Sequence, residues 1–371
     1  MAQDLTPSVA IIGGGPSGCY LAQFLRKEFN ESRITIFDCL PVPYGLVRFG
    51  VAPDHVGTKA VAAQFDRLFE REGVEFIGST EIGRDKPLDE VMNEYDIVVL
   101  ATGLGGDRKL GIPGEKLRGI YGAGRITRLI NSHPFESLDE LQVGSTLAII
   151  GHGNVAIDLI RLSLLAPQEL TLHGVNKDVA LLVASNNLRQ IHVVGRSGIE
   201  SAKFDPAMIR ELEKIPDVRF ISDSKITNHE NVEAKKRIEA INSLVSSSPA
   251  NATRTVHFHF GWLPLEISGT SKVEEIRFKS HSDEILQLPG DTIYSAIGFE
   301  QAENAAIKIE NLITKESDLE HGFILDPLYC VGWLRRGPQG TIPVNRADAK
   351  KISERIVQDF KNKKLEKARE R

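Results

Sequence analysis

The stretch Val9–Leu25, VAIIGGGPSGCYLAQFL, decides how the rest of the chain is read. Val9–Ile12 is a short run of apolar, mostly β-branched residues, the pattern of a strand buried on both faces. It breaks into Gly13-x-Gly15-x-x-Gly18, and behind that Ala22, Leu25 and Phe29 recur at helical spacing. Each glycine has its own task in such a turn. Gly13 permits the tight bend from strand to helix, Gly15 lets backbone approach a pyrophosphate, and Gly18 allows the helix to pack closely on the strand. Pro16 and Ser17 sit between them, where the free amides of the helix start would face an anion. Arg33–Asp38 reads as the next strand, closed by Asp38 twenty residues after Gly18. A carboxylate at that place can accept both hydroxyls of a ribose, so the segment predicts a dinucleotide-binding unit.

The pattern returns once. Thr146–Ile150 is apolar, Gly151-His152-Gly153-Asn154-Val155-Ala156 forms the turn, a helical pattern follows to Leu165, and Gln190–Val194 reads as the second strand. This strand ends in Gly195-Arg196-Ser197 rather than in an acid. A guanidinium can bind a 2′-phosphate that a carboxylate would repel. One site with an acid and one with an arginine predicts FAD in the first and NADPH in the second, although a lone arginine at a strand end also suits a surface charge. Two further apolar runs, Tyr95–Ala101 ending in Thr102–Gly103 and Thr292–Ile297 ending in Gly298, fit parallel strands. The expected class is α/β, with two Rossmann-like domains whose parallel sheets are flanked by helices and a small antiparallel sheet. The expected division is an FAD domain of residues 1–105 plus 320–371 and an NADP domain of residues 106–319, with Leu110–Gly114 as connector. Residues 166–189 and 224–254 read as polar or irregular additions.

Composition narrows the function classes. A chain of 371 residues with 41% hydrophobic and 26% charged residues is ordinary globular material for two or three domains. Net charge is −5, which gives no reason to expect nucleic acid or a membrane as partner. No apolar run approaches the ~20 residues of a membrane span. The first residues lack the basic region of a signal peptide, so a cytoplasmic location is expected, or the mitochondrial matrix if a presequence was removed. The three cysteines, Cys19, Cys39 and Cys330, form no CxxC pair. They exclude dithiol reductase chemistry and a built-in iron–sulfur cluster, and no metal site is expected.

Three constellations remain. PVPYGLVRFGVAPDH, residues 41–55, is a rigid Pro- and Gly-rich loop whose apolar residues suit the cover of a flat cofactor; it contains Gly45 and Leu46 and ends at His55. CVGWLRRGPQGTIPVN, residues 330–345, contains Gly332, Trp333, Gly340, Thr341 and Ile342, with backbone donors placed for the negative edge of a reduced flavin. Asn154 could cap its helix or bond the pyrophosphate, and Asp158, one turn on, could orient a carboxamide or relay a proton.

In this order GGGPSG, PVPYGLVRFGVAPDH, GHGNVA, the VGR strand end and GWLRRGPQG resemble the adrenodoxin reductase family of NADPH–ferredoxin reductases, over nearly the whole chain. The resemblance implies two glutathione-reductase-like domains, with the NADP domain inserted into a discontinuous FAD domain. It implies FAD contacts at Ser17, Asp38, Leu46, Ile82, Trp333 and Gly340 to Ile342. Nucleotide contacts follow at His152 to Val155 and at Arg196, and His55 and Asp158 match polar residues near flavin and nicotinamide. The implied reaction is hydride transfer from NADPH to FAD, then single electrons to a [2Fe–2S] or other ferredoxin that feeds a cytochrome P450 or another oxygenase. Acidic ferredoxins dock on basic residues of the NADP domain in this family, for which Lys203, Arg210 and Lys214 around a helix starting at Asp205–Pro206, and Lys235, Lys236 and Arg237, are the candidates here. A monomer is expected. Two departures thin the contacts to the nucleotide: the family commonly has paired arginines where this chain has Arg196–Ser197, and often a glutamate where Met208 stands. The alternatives are a nucleotide-binding redox sensor and a flavin monooxygenase without a ferredoxin. An input subunit of the glutamate synthase kind would carry cysteine clusters before the first turn, and no cysteine precedes Gly13.

Overall fold

Val9–Ile12 lies inside a six-stranded sheet because every residue of the strand is buried. The order is Phe323–Leu325, Leu328–Cys330, Ile97–Leu100, Val9–Ile12, Ile34–Phe37, Val74–Ile77. All neighbours run parallel except the first pair. Successive side chains point to opposite faces. Val9, Ile11, Ile34, Ile36, Ile97 and Val99 therefore share one core with the helices Pro16–Glu28 and Ile342–Arg369. Ala10, Ile12, Phe37, Val98 and Leu100 build a second core on the other face. The computed structural model describes residues 6–369.

The second unit repeats the plan. Its parallel sheet has the order Ile120–Gly122, Thr292–Ser295, Thr146–Ile150, Gln190–Gly195, Arg254–Phe260, Val218–Ser222. Helices cover one face around Leu147, Ile149, Val193 and Phe258. An antiparallel meander of Trp262–Ser268, Glu275–Ser280 and Ile285–Pro289 covers part of the other, meeting Ala148, Ile150 and Val194.

The division differs from the expected one. The first unit comprises the residues up to Val51, His55–Gly106, and those from Phe299 onward; the second comprises Ala52–Asp54 and Asp107–Gly298. The return comes at Phe299 rather than at 320 because Ile307, Ile309, Leu312 and Leu319 pack on the core of the first unit. Ala52 belongs with the second because it is buried in that core. The stretches read as irregular contain the helices Pro167–Leu172, Lys177–Val183 and Val232–Ser247. The last starts where the Asn231 side chain accepts the Ala234 N–H at 3.0 Å. It buries Ala234, Ile238, Ile241 and Leu244, a stripe diluted by charged residues in the sequence.

Candidate functional site

The first Gly-rich turn leaves its strand at Gly13 with φ +116°, a conformation that suits glycine. A Cβ there would overlap the Ala101 carbonyl, and one at Gly18 would overlap the carbonyl of Gly13. Gly15 is different: a Cβ there would meet nothing within 4 Å. The helix Pro16–Glu28 begins behind it without a side-chain cap. Open space in front of uncapped amides is the shape a diphosphate requires. Asp38, 8% exposed, accepts the Gly14 N–H at 2.6 Å on one oxygen and the Leu40 N–H at 2.8 Å on the other. Burial pushes its carboxyl up and these amides pull it back. Each oxygen keeps a further lone pair for a ribose hydroxyl.

Two segments close on this turn. The loop after Asp38 includes a short helical turn, Leu46–Phe49, rather than being irregular throughout. Its Tyr44 N–H donates to the Gly14 carbonyl at 2.7 Å, and a Cβ on Gly45 would stand 3.0 Å from the Gly15 Cα. The Tyr44 phenol donates to Asp66. Gly332 lies so near Ser17 that a Cβ on it would overlap the Ser17 hydroxyl. The Gly332 N–H donates to Asp348 at 2.7 Å, and Asp348 also pairs with Arg335. Trp333 stacks on Phe299 at 5.6 Å, and its indole N–H is buried without a partner. Ile82 is 3% exposed, while Thr102 and Gly103 follow the Ile97–Leu100 strand, with open space at Gly103. Gly340 and Thr341 immediately precede the helix that starts at Ile342. The amide cradle at Gly15, the acid at Asp38 and the orphaned Trp333 N–H fit FAD.

The second turn has the same backbone form. Gly151 has φ +127°, a Cβ there would overlap the Ala296 carbonyl, and Gly153 is open. The helix Asn154–Leu164 starts at Gly153 without a side-chain cap. Asn154 does not cap it, because its Oδ1 accepts the Asp205 N–H at 2.8 Å. The His152 side chain turns inward, 6% exposed, with its Nε2 3.2 Å from the Val193 carbonyl and its ring 4.5 Å from Phe260. Burial presses its pKa down to about 4, so the ring is neutral and packs behind the turn; the His152 carbonyl accepts the Lys203 N–H at 3.2 Å. Val155 packs on the core beside it. Arg196 is exposed at the strand end, and the Ser197 carbonyl accepts the Gly261 N–H at 3.1 Å. An open cradle with an exposed guanidinium at its strand end fits NADP.

The family model for pyridine nucleotide-disulphide oxidoreductases matches residues 7–216. Cindoxin reductase of Citrobacter braakii is 42% identical over 360 residues, which cover 96% of this chain and 78% of the relative. A probable mitochondrial NADPH:adrenodoxin oxidoreductase of Schizosaccharomyces pombe is 31% identical, covering 98% and 84%. FprA of Mycobacterium tuberculosis, solved in complex with NADPH, superposes with a TM-score of 0.89 at 27% identity, covering 97% of this chain and 86% of that one. The chain belongs to the adrenodoxin reductase-type ferredoxin reductases.

The thiols of this family member are held in the protonated form. Burial pushes Cys39 and Cys330 up to about 12, and Cys19 is fully buried. The expected docking residues of this ferredoxin reductase separate into two kinds. Lys203 is stitched by its backbone to Gly153, next to the nucleotide turn. Arg210 is exposed on the helix Pro206–Leu212, and Lys214 is exposed just past its end rather than on it. Lys235 and Lys236 pair with Glu239 and Glu233 of their own helix, at 3.8 and 2.7 Å. Arg237 is partly buried and donates to the Glu200 carbonyl at 3.0 Å. Asp158 pairs with Arg161 at 2.7 Å, and the buried Arg161 also meets Asp54 and Glu211. The His55 carbonyl accepts N–H groups of Thr58 and Lys59 at 3.1 Å. Three histidines that the sequence reading passed over, His192, His257 and His259, come together on the second sheet. Only the His-x-His pair at 257 and 259 signals them in the sequence.

Proposed function

We propose that this chain is an NADPH–ferredoxin reductase. When bound, FAD supplies the chemistry, accepting a hydride from NADPH and passing single electrons to an iron–sulfur protein. The protein's residues bind and orient. The amides behind Gly15 receive the flavin nucleotide's diphosphate and Asp38 its ribose. The amides behind Gly153 receive the second nucleotide, and Arg196 its 2′-phosphate. The observation that carries this reading is the pair of equivalent glycine turns with a carboxylate at one strand end and a guanidinium at the other. His55 and Asp158 serve as orienting groups, Asp158 through its fixed pairing with Arg161.

Arg210 and Lys214 form the docking face for an acidic [2Fe–2S] or other ferredoxin, which hands electrons to a P450 or another oxygenase. No described helix is long and apolar enough to cross a membrane. A cytoplasmic monomer is the proposed working form, consistent with three unpaired thiols. The test is anaerobic stopped-flow mixing of the FAD-loaded protein with NADPH and with NADH, followed by ferredoxin. Rapid bleaching by NADPH and single-electron ferredoxin reduction support the reading. Failure to retain flavin, or bleaching without transfer to any ferredoxin, overturns it.

A further inference from the structure

The strands Gln190–Gly195 and Arg254–Phe260 run parallel at the middle of the second sheet, with His192 opposite His257 and Val194 opposite His259. Residues two apart on a strand share a face, so the three imidazoles point to one side. The alternate residues Ile191, Val193, Val256 and Phe258 fill the apolar core on the other. Polar rings in inner strands cost stability unless each finds a partner. Here they have chiefly each other. His192 Nδ1 is 3.1 Å from His259 Nε2, and the His257 and His259 rings are 3.9 Å apart, centre to centre. The His192 Nε2 is buried without a partner.

We propose that His192, His257 and His259 bind one zinc-like divalent transition metal ion. One ring nitrogen from each lies within 4.8 Å of the others. Zinc–nitrogen bonds of about 2.0–2.1 Å set tetrahedral edges of about 3.3–3.4 Å, so the rings would turn and draw together on the ion. Three imidazoles leave a fourth position for water or another ligand. A support for the site is already built. Asp223 Oδ2 lies 3.3 Å from His259 Nδ1, which directs the other nitrogen into the cluster. Asp223 is itself fixed by the Phe260 N–H and the Trp262 indole N–H, each at 3.1 Å.

Binding would tie together the two His-bearing strands and, through Asp223, the end of Val218–Ser222. Gly261, which follows His259 by two residues, donates its N–H to the Gly195 carbonyl at 2.9 Å, one residue from Arg196. The ion would thus brace the strand ends beside the nucleotide position without touching the reacting groups.

The experiment uses the FAD-loaded full chain, stripped with a chelator. Zinc is added calorimetrically, and cobalt(II) is followed to the red of the flavin absorption. The expected result is one equivalent of zinc with a micromolar or tighter Kd, tetrahedral cobalt bands and a raised melting midpoint. His257→Gln should weaken binding at least tenfold and abolish the bands, while NADPH still bleaches the flavin. His192→Asn should do the same, which covers the case that one variant folds poorly. Asp223→Asn should weaken zinc about 10–100-fold. His281→Gln, on an exposed hairpin, should bind as the parent does. No saturable zinc binding below millimolar, or full binding by both His257→Gln and His192→Asn, overturns the proposal.

Discussion

The two glycine turns share a backbone and differ in what surrounds them. At Gly13–Gly18 the neighbouring chain is sewn down: Tyr44 bonds Gly14, Gly45 lies against Gly15, and Gly332 presses on Ser17. Its acid is 8% exposed and holds two amides. At Gly151–Ala156 the cradle is equally open and the following segment is also bonded to it, Lys203 to His152 and Asp205 to Asn154, but the strand ends in the exposed Arg196. A buried, amide-held acid beside the cradle suits a ligand that stays through many turnovers. A solvated guanidinium suits a ligand that enters and leaves. On the proposed function, the same turn serves a resident cofactor in one unit and an exchanging nucleotide in the other.

The largest expected effect puts the same substitution in both cradles. Gly15→Ala and Gly153→Ala each add a methyl to empty space, so neither disturbs packing in the free protein. Gly15→Ala should yield protein with less than about a tenth of its flavin, because the methyl stands where the diphosphate meets the amides. Gly153→Ala should keep its flavin and its yellow colour. Its KM for NADPH should rise about tenfold or more, with kcat nearly held. Flavin content by absorbance and steady-state kinetics check both. Equal flavin loss in the two variants would break the distinction between resident and exchanging sites.

A smaller effect concerns selection. Arg196→Gln should raise the KM for NADPH roughly 10–100-fold, the worth of a hydrogen-bonded charge on phosphate, and leave NADH unchanged. Lys203→Gln should act in the same direction but less, since its backbone sits at Gly153 and its side chain is exposed. If Lys203 supplies the second cation that the family's usual arginine pair would give, the double variant loses preference for NADPH. Unchanged selectivity in Arg196→Gln would make that residue a surface charge.

The groups behind the turns also differ, a carboxylate in the first and a neutral histidine in the second. His152 has a folded pKa of about 4, below the usual value near 6.5 for the unfolded chain. Above that value both states are neutral and its contribution is fully present. As pH falls toward 4, the unfolded chain takes the proton and the native one does not, so stability is lost. Between pH 7 and 5 this amounts to about 2 kcal/mol, with His192 and His257 shifted in the same direction. Urea midpoints at the two pH values should fall on acidification, and fall less in His152→Gln. Equal drops would place the proton uptake elsewhere.

How much of this was legible in the sequence depends on range. The turns were readable because their chemistry is local: three small residues at fixed spacing between a strand and a helix. Arg196 and Asp38 were readable because they close the next strand. Asn154 misled because its partner, Asp205, lies 51 residues away. The return of the chain at Phe299 was hidden because the isolated apolar residues between Ile307 and Leu319 have no period. The histidine cluster was invisible as a set, since only strand register brings residue 192 beside 257. Charge runs were the least reliable guide, because a list of basic residues does not say which have acids of their own.

That last point yields the smallest effect. Lys235 and Lys236 are matched by Glu239 and Glu233 on the same helix, and Arg237 is engaged with the Glu200 carbonyl. Little of their charge is left to steer a partner. Arg210 and Lys214 are exposed and form no ion pair among the described residues. Reversing both, Arg210→Glu with Lys214→Glu, should slow ferredoxin reduction several-fold at low salt, and the deficit should shrink as salt screens the encounter. Reversing Lys235 and Lys236 should change the rate less than twofold while leaving flavin reduction by NADPH untouched in both variants. The slope of rate against ionic strength is the reading that decides, because a folding defect lowers the rate without altering that slope. A larger loss from the Lys235 and Lys236 pair would move the docking face onto the Val232–Ser247 helix.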